Sequence, residues 1–291
     1  MKKYFVVFCL IFFFLPSMAI AAGHGQPRSV KQGILLVAFG SSFPQAQVSF
    51  ENIDARVKKQ FPDIPVHWAY TSHVIRKKLA SQGKHLDSVA TALAKMMDQG
   101  FTRVAVQSLH TIRGEEFDDL VHTANAFEGM PDGIEKIVIG SPLLSSPQDM
   151  EAVTRAIIQN IPAKRKKGEA LVLMGHGTPH PSNAFYTALM FSLQRKDPGI
   201  FIGTVEGAPG IEDITAMLRE KNIKKVYLMP FMSVAGDHAR NDLAGEDPDS
   251  WKSILEHQGV HCEVVLKGTA EYDNMIDIWV NHLKDAMAQF K

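Results

Sequence analysis

Cysteine is almost absent: the 291 residues contain Cys9 and Cys262 and no others. An excess of one charge sign is missing as well, because 31 Lys and Arg balance 31 Asp and Glu. Long apolar runs are confined to the extreme N-terminus. Each absence excludes something. One or two thiols cannot build a disulfide framework or a cysteine-ligated metal site. A nucleic-acid binder normally carries a basic excess or stripe, and this chain has neither. With 45% hydrophobic and 21% charged residues, disordered, collagen-like and coiled-coil classes are also excluded. What remains is a globular chain, long enough for one large α/β domain or two lobes of about 130 residues.

The first residues read as an address rather than as part of the fold. Met1-Lys2-Lys3 is positive, Tyr4 to Leu15 is apolar, and Pro16-Ser17 breaks the run before Ala19-Ile20-Ala21-Ala22. This is the order of a secretory signal with a small-residue cleavage site. About a dozen apolar residues fall short of the roughly 20 needed to span a bilayer. Residues 1–22 are therefore expected to be a cleaved signal peptide and the protein periplasmic, with no membrane span left after cleavage; a retained anchor is the rival reading. Cleavage removes Cys9, so Cys262 stands alone, and it removes Lys2 and Lys3 from the charge balance.

After the leader, short apolar runs alternate with helical periodicity. Gly33 to Phe39, Val66 to Tyr70, Arg103 to Leu109 and Ile134 to Gly140 read as strands, with helices over Gln45–Gln60, Leu86–Gln99 and Met150–Asn160. Beyond the basic stretch Lys164 to Lys167, a solvated linker, the pattern restarts. Strands are expected at Ala170–Met174, Ile200–Val205, Lys225–Met229 and His261–Leu266, and helices at Asn183–Gln194, Glu212–Lys221 and Asn274–Gln289. Strands alternating with helices imply parallel sheets covered on both faces. The opening Leu35 to Ser41 aligns with Leu171 to Thr178, and Arg103–Val106 followed by Gly114-Glu115-Glu116 parallels Lys225–Leu228 followed by Gly236-Asp237-His238. The expected fold is thus α/β, two similar doubly wound lobes over residues 30–160 and 168–291 with a cleft between them.

In open α/β sheets ligands sit beyond the carboxyl ends of strands. Three such ends in the second half carry His176, between Gly175 and Gly177, Glu206, before Gly207, and His238. Two imidazoles and one carboxylate, with positions left open, suit a borderline divalent metal such as cobalt, iron, nickel or zinc. His180 is a rival ligand, although Pro179 and Pro181 suggest a surface turn. Asp237 and Asp242 are candidates to orient a ligand imidazole.

These residues carry a resemblance. The Gly175-His176-Gly177-Thr178 loop, the Glu206 strand end, and Met229-Pro230-Phe231-Met232 leading to Gly236-Asp237-His238-Ala239-Arg240-Asn241-Asp242 resemble the class II tetrapyrrole chelatases, in particular the anaerobic cobalt chelatases acting on sirohydrochlorin. Leu36 to Ser42 and Ser108 to Glu116 fit the same family. The resemblance runs from about residue 30 to 285. It implies insertion of Co2+, with Fe2+ left open, into a tetrapyrrole, the metal being substrate and no nucleotide taking part. It further implies metal ligation by His176, Glu206 and His238, catalytic roles for His176 and for Glu116 facing from the other lobe, and macrocycle binding by Ser41 and Ser42. Sirohydrochlorin carries many carboxylates, which makes Arg113 and Arg240 further substrate-binding candidates. A homo-oligomer is left open. The competing class is an exported, two-lobed solute-binding protein that holds a metal complex or tetrapyrrole without turnover.

Overall fold

The computed structural model describes residues 28–290; the leader expected over residues 1–22 lies outside them. The first half runs β1 (Gln32–Ala38), α1 (Gln47–Gln60), β2 (Val66–Tyr70), α2 (His73–Ala80), α3 (Val89–Asp98), β3 (Arg103–Ser108), α4 (Glu115–Phe127), β4 (Lys136–Gly140) and α5 (Pro147–Gln159). The second half runs β5 (Ala170–Gly177), α6 (Ala184–Gln194), β6 (Ile200–Glu206), α7 (Ile211–Glu220), β7 (Lys225–Pro230), α8 (Trp251–His257), β8 (His261–Val264) and α9 (Asp273–Met287). Two four-stranded parallel sheets result, ordered β2-β1-β3-β4 and β6-β5-β7-β8. The two orders are the same, so the repeat seen in sequence is a repeat of topology. No helix among the described residues is long and apolar enough to cross a membrane.

β1 shows why the strands read as unbroken apolar runs. Ile34, Leu36 and Ala38 face the core shared with α1, α5 and the second half. Leu35 and Val37 face a separate core against α3 and α4. Both faces are covered, so no position on the strand is free to be polar. Several helices begin at a serine whose hydroxyl accepts a backbone N–H: Ser72 from Ile75, Ser88 from Thr91, Ser146 from Asp149 and Ser250 from Ser253. Each satisfies a donor that the first helical turn leaves unpaired.

Two features differ from the sequence expectation. The sequence pattern does not mark helices α2, α4 and α8; α2 and α8 are a turn or two long, and α4 begins within the Gly114-Glu115-Glu116 motif. The terminal helix α9 also does not stay with its own half. It packs on β3, β4, α1 and α5, with Trp279 Nε1–H donating to the His110 carbonyl at 3.4 Å and His282 Nε2–H to Asp149 at 2.7 Å. In exchange, α5 packs against α6 of the second half. A division of the chain at residues 160–168 therefore does not coincide with the packing. The physical reason is that α9 buries Met275, Ile276, Ile278, Trp279, Val280 and Leu283, more of its circumference than one sheet face covers.

Candidate metal-handling site

β1, β3, β5 and β7 are the central strands, and their carboxyl ends bring loops of the two halves face to face. A Cβ added to Gly236 would lie 3.2 Å from Ser41 Oγ, and one added to Gly114 would lie 3.7 Å from Thr178 Oγ1. Ser41 is buried and accepts the Phe43 backbone N–H at 3.2 Å; Ser42, half-buried, is next to it.

His176 is the penultimate residue of β5, which continues three residues beyond its expected end. The flanking glycines are required by close approach. A Cβ at Gly175 would meet the Tyr186 ring at 2.4 Å, and one at Gly177, whose φ is +82°, would meet the Glu206 carbonyl oxygen at 1.6 Å. The His176 Nδ1–H donates to the Gly177 carbonyl at 2.9 Å. A carbonyl can only accept, so this bond places the proton on Nδ1 and leaves the Nε2 lone pair free.

His238 lies at the start of a π-helical turn, Ala239–Leu243, that carries Asp242 back beneath it. Its Nδ1–H donates to the Asp242 carboxylate at 2.5 Å, again leaving Nε2 as the free nitrogen. A π turn of this kind is common at functional sites. Asp237 instead accepts from Asn241 at 3.2 Å, so of the two candidate orienting carboxylates it is Asp242 that holds His238.

The two rings meet edge to face, with centroids 4.7 Å apart and an 87° interplanar angle. Phe39 stands 6.1 Å from His176. Two half-buried imidazoles thus share one place, each with Nδ1 committed and Nε2 open, the arrangement second partners impose on metal-binding histidines. Among the described residues, no three His, Cys, Asp or Glu side chains converge into a group that could hold a metal ion. Glu206 ends β6 beside Gly177 and is exposed, and its carboxylate does not complete a three-ligand group with the pair in this structure.

The other expected residues are placed as follows. Glu116 is exposed in the first turn of α4, the helix whose N-terminal Gly114 abuts Thr178 of the second half. The exposed Arg113 donates its Nε–H to Asp118 at 3.0 Å. Arg240 donates to the Ala235 carbonyl at 3.2 Å and lies over the Phe43 ring, 5.5 Å from its centroid. His180, expected in a surface turn, is half-buried, and its Nε2 lies 3.7 Å from Asp118 of the first half. His110 is separate from the imidazole pair; burial lowers its pKa to about 4, so it is neutral at physiological pH. The sequence reading missed Lys78, whose Nζ stands 5.8 Å from the Phe43 centroid. The signal was the capping Ser72 ahead of His73 to Lys78, which marks the start of α2.

The sequence matches the family model described as cobalt chelatase (CbiK) over residues 32–288. It is 46% identical over 258 residues to the sirohydrochlorin cobaltochelatase CbiKC of Nitratidesulfovibrio vulgaris, covering 89% of this chain and 91% of that one. It is 33% identical over 260 residues to the sirohydrochlorin cobaltochelatase of Salmonella typhimurium, covering 89% and 97% respectively. Among solved structures, SirB from Bacillus subtilis with Fe3+ matches with a TM-score of 0.60 at 16% identity, over 90% of this chain and 97% of that one. The sirohydrochlorin chelatase SirB from Bacillus subtilis subspecies spizizenii in complex with cobalt matches at 0.58 and 14%, over 89% and 97%. At such identities these structures show a shared fold.

Proposed function

The chain belongs to the cobalt chelatase (CbiK) family, and from that premise we infer that it is an enzyme inserting Co2+ into sirohydrochlorin without a nucleotide. The observation that carries the site assignment is the His176–His238 pair, with both Nδ1 atoms committed and both Nε2 atoms open.

The chemistry asks for few groups. The metal must be held weakly enough to leave for the ring, and the ring must lose both pyrrole N–H protons as the metal enters. Two imidazoles with open Nε2 atoms supply borderline, incomplete coordination. Glu206 is the proposed third ligand: its backbone is pinned beside Gly177, so side-chain torsions alone would bring its carboxylate to the metal. As the metal passes to the ring, the two pyrrole protons go one each to the Nε2 atoms that His176 and His238 vacate, and Glu116, across the cleft, passes protons on to solvent. Ser41, Ser42 and Arg240 belong to loops that meet between the halves and are proposed to contact the macrocycle. Arg113, already paired with Asp118, would have to exchange that partner for a substrate carboxylate. We also propose export to the periplasm, supported by the leader-like composition of residues 1–22.

The test is optical: metal-free sirohydrochlorin and Co2+ are mixed with the protein without ATP, and the absorbance change on insertion is followed. His176→Ala and His238→Ala should each slow insertion by about 10²–10⁴-fold, the usual worth of a placed acid–base group. Glu116→Ala should slow turnover with a smaller effect on cobalt binding. Folded variants that all insert cobalt at the wild-type rate would overturn the site assignment. A wild-type protein that binds the macrocycle without turnover would overturn the chelatase reading in favour of a binding protein.

A further inference from the structure

Phe43 has a cation on each of two approaches. Lys78 Nζ, from α2 of the first half, is 5.8 Å from its ring centroid, and Arg240 Cζ, from the second half, is 5.5 Å away. Phe43 itself is half-buried and packed against the main core, which holds the ring in place. Arg240 is two residues from His238, and Phe43 donates its backbone N–H to Oγ of Ser41, the residue that Gly236 abuts. The cluster therefore borders the imidazole pair.

Its charges are not compensated. Arg28, Arg56, Arg113 and Arg165 each meet a carboxylate. Neither Lys78 nor Arg240 forms an ion pair among the described residues. An aromatic face attracts a cation through its quadrupole, but it leaves the N–H donors unspent. Resting on the chelatase reading above, we propose that Lys78, Phe43 and Arg240 form a clamp, built from both halves, that recognises the carboxylate periphery of the macrocycle. The Lys78 ammonium and the free Arg240 η N–H groups donate to carboxylates of the ring's substituents, and Phe43 holds the two cations beside each other. Arginine suits this role because its planar fork can engage a carboxylate with two parallel bonds.

The experiment measures insertion kinetics for wild type, Lys78→Met, Arg240→Met and the double variant, with sirohydrochlorin and with a porphyrin carrying fewer carboxylates. Charge-assisted hydrogen bonds of this type are each worth about a ten-fold change in affinity or more. The KM for sirohydrochlorin should therefore rise about ten-fold per substitution, while the KM for Co2+ and kcat stay near wild type. Salt should weaken sirohydrochlorin binding by wild type more than by the double variant, since screening acts on the charges the variant lacks. Selectivity for sirohydrochlorin over the carboxylate-poor porphyrin should fall, and Arg240→Lys should recover part of it. Thermal melts confirm that the variants are folded. Unchanged sirohydrochlorin KM in both single variants, with wild type active, would overturn the clamp. If wild type shows no turnover, the chelatase reading falls, and equal dissociation constants of wild type and double variant for metal-free sirohydrochlorin, read by fluorescence quenching, would overturn the clamp separately.

Discussion

Replacing Gly177 with Ala should damage both the second sheet and the imidazole pair, and the size of the effect follows from two terms. The first is conformational: a φ of +82° costs an L-residue ~1–2 kcal/mol. The second is contact. The new Cβ would stand 1.6 Å from the Glu206 carbonyl oxygen, 2.6 Å from its carbon and 2.8 Å from Thr204 Cβ. Two of the three atoms are backbone of the paired strand β6, so no side-chain rotation relieves the overlap, and the ends of β5 and β6 must separate. Forced repacking of this kind costs ~1–3 kcal/mol, for a sum of ~2–5 kcal/mol. At ~2–4 °C per kcal/mol for a chain of this size class, the melting temperature should fall by about 10 °C. Gly259 supplies the control, because its φ is +75° yet an added Cβ would find nothing within 4 Å. Gly259→Ala should pay the conformational term alone, a loss of about 3 °C. Scanning calorimetry on the three proteins reads the difference, and cobalt titration should show weakened binding only in Gly177→Ala, where His176 is displaced. If the two alanine variants melt together and bind cobalt alike, the contact with Glu206 is not what makes Gly177 necessary.

Asp242→Ala frees His238 to rotate and to protonate on either nitrogen. Cobalt affinity should drop about 10–100-fold with little change in melting temperature, and unchanged affinity by calorimetric titration would remove Asp242 from the positioning role. Acid should weaken the fold in two stages. Burial lowers the His110 pKa from 6.5 to about 4, so the unfolded chain binds that proton first, and stability falls by up to ~3 kcal/mol as pH drops through that window. Burial opposes ionisation of Asp149, yet hydrogen bonds with His282 and Ser145 outweigh it and bring its pKa to about 2. Its contribution is present above pH 3.8 and is lost on approach to pH 2. Urea midpoints for wild type and His110→Gln between pH 7 and 4 should diverge; parallel curves would refute the first stage. Export predicts a native N-terminus near residues 22–23, and mass spectrometry finding Met1 on soluble protein would exclude it.

The main lines of the fold were legible because burial on both faces leaves a direct trace. Gly33 to Phe39 and Ala170 to Met174 read as strands because parallel strands under two helix layers tolerate no polar position. The repeated motif order then implied two equivalent sheets. His176 and His238 are legible as a pair because one stands at the carboxyl end of its strand and the other beyond the end of its strand, and β5 and β7 are hydrogen-bonded neighbours. Less was legible at α4, where the motif Gly114-Glu115-Glu116 reads as a loop although its acidic residues suit the positive end of a helix.

What the sequence by itself determined is where apolar faces lie and which chemistry-bearing residues stand at strand ends, since both are written in local spacing. Only the tertiary structure decided what each face packs against and which charges are cancelled. Periodicity marks the buried stripe of α9 but not that it crosses to β3 and β4. Arg113 and Arg240 are equal candidates in sequence, yet folding sets Asp118 against one and the Phe43 ring against the other. Likewise the edge-on meeting of His176 and His238, with Glu206 outside that pair, depends on side-chain directions that are set when separate strands and loops pack together. Spacing along the chain carries no information about them.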